Sequence, residues 1–168
     1  MDFDDLYLGY SRHVRRFALF LLGDPALADD ITSETFVRAW TTLGEIRTPT
    51  VKSYLFAIAR NLCRDALRQR ARQTGFEDIA PLFDTRPRPD SHLESKLELQ
   101  AVLSELAHFA EVDRTALLLR VQEGMSYDEI ARTLEISPVA ARVKVHRARL
   151  RLMRVRATLL EVIHERRS

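Results

Sequence analysis

Few residues of this chain have the types and spacing that catalytic chemistry needs. The adjacent carboxylates Asp29 and Asp30 could serve an active site, but neighbouring positions of a helix point about 100° apart and do not converge. Neither lies near a histidine in the sequence, and there is no glycine-rich phosphate loop, nucleophile elbow or His-Glu-x-x-His motif. The single cysteine, Cys63, excludes an internal disulfide, and the histidines do not fall into metal-ligand spacing with it. We expect a protein that is not an enzyme and that needs no metal or cofactor.

The stretch from Ser126 to Arg156 has the spacing that binding to duplex DNA needs. Ser126 and Glu129 form a capping box that begins a short helix, and Ser137 with Pro138 begins a second helix soon afterwards. Two helices joined so closely predict a helix-turn-helix, whose second helix can enter a major groove. No acid lies between Ile136 and Leu160, and the same stretch carries seven cations: Arg142, Lys144, Arg147, Arg149, Arg151, Arg154 and Arg156.

A basic helix by itself does not establish DNA binding. It is also typical of a solvated face, or of a surface that binds an anionic membrane or an acidic protein. The capped first helix and the tight turn favour DNA, because neither alternative needs them. Of the 26 Lys and Arg residues only three are lysine, and the planar fork of arginine suits phosphate and guanine, although a GC-rich genome gives the same bias.

A second basic cluster lies in the middle of the chain. Arg60, Arg64 and Arg68 recur every four residues and share one helix face, with Asn61 beside them. Two aromatic residues precede them, and aromatics beside arginines suit unpaired bases and phosphates. For Phe56, a core position and a base contact are equally compatible with the pattern, whereas Tyr54 fits the core better.

Charge and hydropathy bound the class of protein. The net charge of +2 conceals an asymmetry, because Asp24 to Glu34 holds four acids and no base while the chain after Ile136 is strongly basic. The two faces therefore suit different partners. No stretch approaches the apolar length of a membrane span, and no signal peptide pattern opens the chain. We expect a cytoplasmic protein.

The periodicity of apolar residues predicts an all-α fold with two small helical domains joined by a flexible linker, the C-terminal domain being the helix-turn-helix. Apolar residues recur at helical spacing through most of the chain, and no segment alternates as a strand does. Four of the glycines and prolines fall in a poorly periodic stretch near residues 73–92, which predicts the linker. The predicted domains are 1–72 and 93–168.

Three motifs in order carry a resemblance to a known family. ALADDITSETFVRAW, SYLFAIARNLCRDALRQR, and SYDEIARTLEIS through HRARLRLMR resemble bacterial RNA polymerase sigma factors of the extracytoplasmic-function (ECF) group of the sigma-70 family. The first resembles the segment that docks on the polymerase core, the second the helix that reads and melts the −10 promoter element, and the third the helix-turn-helix that reads the −35 element.

The resemblance implies partners and site residues. The partners are core RNA polymerase, through the β′ clamp helices and the β subunit, together with promoter DNA. Many family members are restrained by an anti-sigma factor. The residues that match core-binding positions are Asp29, Asp30, Ser33 and Glu34. The loop Gly44 to Thr50 matches the loop that captures a flipped −10 base, and Asn61 matches a position that contacts that element. With the arginines of the second basic cluster, the expected −10 residues are Arg47, Thr48, Arg60, Asn61, Arg64 and Arg68. Those that match −35 positions are Ser137, Arg142, Lys144, His146, Arg147 and Arg149.

The chain also departs from the family pattern. Ser33 stands where glutamine is common, Val139-Ala140-Ala141 where Gly-Thr-Val is common, and Val143 where serine is common. The preferred promoter sequence is therefore expected to differ. A Ser/Thr kinase is a further candidate partner, because phosphate on one of five hydroxyls would add negative charge near the docking or −10 residues: Thr32, Ser33, Thr35, Thr48 and Thr50.

Two other functions stay open at this point. An ordinary helix-turn-helix regulator would bind duplex DNA without polymerase, whereas a sigma factor binds DNA weakly until it joins the core enzyme. A helical membrane-surface or scaffold protein would bind liposomes through its basic tail, without dependence on DNA sequence.

Overall fold

The computed structural model of the chain describes residues 1–45, 51–75 and 93–167, apart from the side chains of Leu43, Leu93, Glu94 and Arg167. These residues form seven α-helices and one short 3₁₀ turn, Leu43–Glu45, and no strand, so the predicted all-α class is confirmed. The helices are α1 (Phe3–Leu22), α2 (Pro25–Thr41), α3 (Val51–Thr74), α4 (Leu93–Ala107), α5 (Glu111–Val121), α6 (Tyr127–Leu134) and α7 (Pro138–Arg167).

The N-terminal unit is a three-helix bundle whose helix ends follow local signals. Gly23 ends α1 in the left-handed region, with φ 67°, where a side chain would be strained. Asp24 then caps α2 by accepting a hydrogen bond from the backbone of Leu27 at 3.1 Å, with Pro25 in the first turn. Because α1 and α2 are joined so tightly, they pack against each other and against α3.

Aromatic side chains fill the core of this bundle. Phe17, Phe36 and Phe56 are fully buried, and the rings of Phe17 and Phe56 meet edge to face with centroids 5.2 Å apart. Cys63 is also fully buried, as its apolar surroundings in the sequence predict. Phe56 is therefore a core residue and not a base contact. Tyr54 is half-buried, and its hydroxyl hydrogen-bonds that of Thr42 at 2.6 Å.

The C-terminal unit contains the predicted helix-turn-helix. Both capping-box bonds are present, from Glu129 N to Ser126 Oγ at 3.2 Å and from Ser126 N to Glu129 Oε2 at 2.7 Å. The Oγ of Ser137 accepts from Ala140 N at 3.0 Å and so begins α7. The turn between α6 and α7 includes Glu135, the one non-glycine residue of the described chain with positive φ (55°). Buried Ala141, Val145 and Ala148 seat α7 against α5 and α6.

The predicted domain boundaries stay a prediction. Helix α3 continues to Thr74, two residues beyond the predicted end of the first domain, and residues 76–92 of the predicted linker lie outside the described residues. The two units touch each other, since α3 packs against α6. None of the helices in the described ranges is long and apolar enough to cross a membrane.

Candidate docking and nucleic-acid surfaces

The exposed face of α2 carries the four predicted docking residues, Asp29, Asp30, Ser33 and Glu34. Asp29 forms an ion pair with Arg15 at 2.6 Å, and Glu34 with Arg38 at 2.7 Å, but both are exposed pairs of small worth that can be exchanged for a partner's cations. Asp30 has no ion pair within the described ranges. Val37, 58% exposed, lies one turn beyond Ser33. This face can therefore bind a surface that offers cations and an apolar contact.

The opposite side of α2 contradicts part of the phosphorylation hypothesis. Thr32 and Thr35 are buried, and each hydroxyl donates a 2.7 Å hydrogen bond to a backbone carbonyl, of Ala28 and of Ile31 respectively. A kinase cannot reach either side chain without unfolding α2. Of the three candidate phosphorylation sites on α2, only Ser33 is exposed. The other two candidates, Thr48 and Thr50, lie outside the described residues.

The predicted −10 residues of α3 differ in accessibility. Asn61 and Arg68 are exposed. Arg60 is buried, with its side chain 7% exposed, because it reaches into the C-terminal unit. Its Nε and Nη2 donate to the two carboxylate oxygens of Glu111 at 3.0 and 3.1 Å, a bidentate pair. Arg64 lies 3.9 Å from the same carboxylate. The predicted face exists, but part of it is occupied; Arg47 and Thr48 lie outside the described residues.

The seven cations that lie between Ile136 and Leu160 divide into two groups. Lys144 pairs with Asp113 at 2.9 Å, and Arg151 and Arg156 pair with Glu105 and Glu98 of α4. These three pairs join α7 to α4 and α5 at the surface of the C-terminal unit, a structural role that the sequence pattern did not distinguish. The other four are exposed and form no ion pair within the described residues: Arg142, Arg147, Arg149 and Arg154. Together they leave α7 an exposed basic surface, and exposed His146 lies among them.

One aromatic side chain that the sequence pattern did not single out holds two arginines. The guanidinium of Arg142 lies over the ring of Tyr127, 5.2 Å from its centroid, and that of Arg120 lies 4.7 Å from it. Arg120 is itself fixed by a 2.7 Å bond to the carbonyl of Met125. Tyr127 therefore orients Arg142 at the start of the basic face. Ser137 is used by its capping bond, which gives it a structural role beside any contact with DNA.

Glu123 is a second residue that the sequence pattern did not reveal. Its carboxylate is fully buried, with Arg16 Nη2 at 2.9 Å and His13 Nδ1 at 2.8 Å, both from α1. The sequence reads Glu-Gly at this point, which indicates only the end of a helix. Its partners lie more than a hundred positions away in the sequence. The spacing of residues near Glu123 therefore could not predict these ion pairs.

The one cysteine, Cys63, has an unreactive thiol. Burial, and secondarily the charge of Glu111, raise the pKa of the Cys63 thiol from 9.0 to about 12. The thiol therefore remains protonated at neutral pH and is a poor nucleophile or metal ligand. Across the described residues, no three His, Cys, Asp or Glu side chains converge in a way that could hold a metal ion.

Comparison with known proteins finds two family models that match in order along the chain. Residues 6–73 match the family model of sigma-70 region 2, and residues 99–152 match that of sigma-70 region 4. The ECF RNA polymerase sigma factor SigM of Bacillus subtilis (strain 168) is 32% identical over 155 residues, covering 90% of this chain and 93% of that protein. The ECF sigma factor SigE of Mycolicibacterium smegmatis is 32% identical over 158 residues, and the match covers 90% of this chain and 60% of that protein.

A solved structure agrees in fold. The sigma factor RpoE of Bartonella quintana, determined in complex with the anti-sigma factor NepR, superposes with a TM-score of 0.75 at 25% sequence identity. The match covers 92% of this chain and 96% of that one.

Proposed function

This chain belongs to the sigma-70 family of RNA polymerase sigma factors, and we propose that it binds core RNA polymerase through α2 and directs it to promoters through α3 and α7. It acts as an alternative sigma factor of the ECF type. The observation that carries the assignment of surfaces is their separation: an exposed acidic face on α2 and an exposed basic face on α7 lie on units that match region 2 and region 4 respectively.

The docking face is assigned to Asp29, Asp30, Ser33 and Glu34, with the β′ clamp helices as partner and a further contact on the β subunit. Opposite charges on partner surfaces speed and orient assembly, and the exposed ion pairs of Asp29 and Glu34 can be exchanged without leaving a buried charge. Asp30 offers its full charge, since it has no ion pair in the described chain.

Promoter contacts are assigned to the two basic faces. Six residues of α3 and of the sequence before it would bind the −10 element as its strands separate: Arg47, Thr48, Arg60, Asn61, Arg64 and Arg68. On α7, Arg142 and His146 lie near the helix N-terminus and would reach base edges, and Arg147 and Arg149 would hold phosphates. Lys144 is available to DNA only if it leaves Asp113.

The remaining parts of the proposal follow from this role. The chain is a binding factor rather than an enzyme, since the polymerase supplies the chemistry, and it works where the polymerase is, in the cytoplasm. The likeness to a sigma factor solved with its anti-sigma factor supports an anti-sigma partner for this chain as well.

Co-purification with core polymerase tests the docking assignment. The Asp30→Lys/Glu34→Lys variant should lose the core enzyme and promoter-directed transcription while keeping its helicity by circular dichroism, because two reversed charges then face a basic partner. The matched control is Glu161→Lys/Glu165→Lys, which makes the same charge change at exposed positions of α7 and should still bind. A folded docking variant that retains the core enzyme as the control does would refute the assignment.

Co-purification also separates the alternatives, because neither an ordinary regulator nor a membrane-surface protein would retain core polymerase, and each has a binding assay of its own. An ordinary regulator would bind promoter duplex with full affinity in the absence of core polymerase. A membrane-surface protein would bind liposomes and show no preference among DNA sequences.

A further inference from the structure

Two exposed valines lie at the start of α7, on the side of the helix that faces away from the core. Val139 is 72% exposed and Val143 is 38% exposed. They stand two residues before and two residues after Ala141, which is fully buried, and two residues along a helix turn by about 200°. Val139 and Val143, called here the valine pair, therefore lie one turn apart on one face, nearly opposite the side that packs on α5 and α6.

The valine pair adds little to the stability of the helix. A β-branched side chain loses rotational freedom in a helix, so valine at an exposed position stabilises the helix less than alanine would. Single exposed apolar residues are ordinary on protein surfaces. Two of them one turn apart, at the end of the helix whose residues are assigned to base edges, instead indicate a contact with a partner.

Cations flank the valine pair. At about 100° per residue, Arg142 lies to one side of it and Arg147 to the other. Both arginines are exposed and form no ion pair within the described residues, and no acid lies between Ile136 and Leu160. A partner that fits this surface offers negative charge on both sides of an apolar group. Duplex DNA does so, because phosphates line both sides of a major groove whose floor is made of base edges.

Thymine is the base that presents an apolar group in the major groove, its 5-methyl. A cytosine at the same place presents an amino donor that valine cannot accept, so that donor would lose its hydrogen bonds to water without replacement. The rise of about 6 Å between Val139 and Val143 corresponds to about two base-pair steps. The two side chains can therefore contact the methyl groups of two nearby thymines.

We propose that the valine pair reads thymine methyl groups in the −35 element, with Val139 and Val143 each packed on the methyl of one thymine. This inference rests on the proposed −35 role of α7 and adds an apolar contact to the hydrogen bonds assigned to Arg142. It makes two uncharged residues determinants of promoter specificity. Their contribution to affinity is independent of salt, because the contact releases no counterions.

The test uses the holoenzyme, whose preferred −35 element is first selected from a library of randomised −35 sequences. Each thymine of the selected element, on either strand, is then replaced by deoxyuridine, which removes the 5-methyl group and nothing else. The same replacement in the spacer between the two promoter elements is the control for the DNA. The ratio of the Kd for uracil DNA to the Kd for thymine DNA is measured for the unsubstituted chain and for Val139→Ser/Val143→Ser.

We expect loss of the methyl at one or two −35 positions to weaken binding about three- to fourfold each, the worth of one buried methyl-sized group. In Val139→Ser/Val143→Ser, the same replacements should leave the Kd unchanged. The matched control variant, Leu160→Ser/Val162→Ser, removes two other exposed apolar side chains of α7 and should keep the full sensitivity to uracil. A merely structural role of the valines would weaken binding to both DNAs alike and would not alter the ratio.

Several results would overturn the proposal. One is a preferred −35 element without thymine in either strand, and another is an element whose thymines can all be replaced by uracil at no cost in affinity. Equal sensitivity to uracil in Val139→Ser/Val143→Ser and in the unsubstituted chain also overturns it. So does loss of core polymerase by this variant in co-purification, which would make the valine pair a contact with the polymerase.

Two arginine variants separate this inference from the proposed function. If Arg142→Ala and Arg149→Ala both leave binding to the −35 element unchanged, α7 does not read that element and the proposed function is wrong at this point. If these variants weaken binding while loss of the methyl groups has no effect, the −35 role of α7 stands and the reading of thymine methyls alone is wrong.

Discussion

The surroundings of an arginine decide what it can bind, and three arginines of this chain illustrate the range. Arg60 is buried against Glu111, Arg142 lies over the ring of Tyr127, and Arg149 is exposed without an ion pair in the described residues. A guanidinium held against a ring has lost part of its side-chain freedom before DNA arrives, which suits a directional contact with a base edge. A free guanidinium suits a phosphate, for which orientation matters less.

Arg142 and Arg149 should therefore differ in what their removal does. Arg142→Ala in the holoenzyme should relax the preference at one or two −35 positions, because a bidentate arginine–guanine pair discriminates by about 1–3 kcal/mol. Arg149→Ala should weaken binding to all −35 variants alike and lower the salt dependence of log K by about one. A library of −35 variants, assayed at several salt concentrations, measures both. Uniform loss in both variants would make Arg142 a phosphate contact.

At the scale of the elements, most helix boundaries could be predicted because their causes are local. Asp24 with Pro25, and Ser126 with Glu129, act across three residues, and all of these residues lie where the pattern predicts. The roles of the cations on α7 could not be predicted in the same way. Lys144 finds Asp113 across 31 positions of the chain, and helical periodicity carries no information about a partner on another helix. Only the folded structure therefore shows which cations of α7 form ion pairs with other helices and which do not.

The turn of the helix-turn-helix stores strain at Glu135, whose φ of 55° disfavours any residue with a Cβ. Glu135→Gly should raise the free energy of unfolding by about 0.5–1 kcal/mol, the relief of strain less the added freedom of the unfolded chain. Chemical denaturation measures the change.

Gly124 supplies the control for this prediction, because it has a similar φ of 62° and no other atom lies within 4 Å of the place that a Cβ would take. Gly124→Ala should lower the free energy of unfolding by about 1 kcal/mol, since only the backbone conformation opposes it. If both substitutions change the free energy of unfolding in the same direction, φ does not govern stability at these positions.

At the scale of the whole molecule, the contact between the two units is the feature that the sequence could not predict. Its ion pairs join residues 47 to 110 positions apart. In the sequence, each of these residues taken singly indicates only a helix end or a DNA contact. Arg60 and Arg64 show the same limit. The sequence predicts that they share one face of α3, but it does not predict that another part of the chain occupies that face. Periodicity places both arginines on one side of α3, but only the packed structure shows that Glu111 lies opposite them.

Cys63 reports on this packing without any added probe. Raising the thiol pKa from 9.0 to about 12 lowers the thiolate fraction at pH 8 by about a thousandfold. The folded chain should therefore react very slowly with a thiol reagent, and its rate should keep rising with pH between about 8 and 10. The unfolded chain should react fast and level off near its ordinary pKa. A folded chain that reacts at the unfolded rate would show that Cys63 is not held in a packed interior.

The length of α7 has a consequence for promoter geometry. At about 1.5 Å per residue, its 30 residues form a rod about 45 Å long, braced along its side by the pairs of Arg151 and Arg156 with α4 and by the stacking of Arg151 on Phe109. One base pair added between the two promoter elements turns the −35 groove by about 35° around the DNA axis. A braced rod cannot follow that rotation by bending, so tolerance of promoter spacer length has to come from outside the α4–α7 pair.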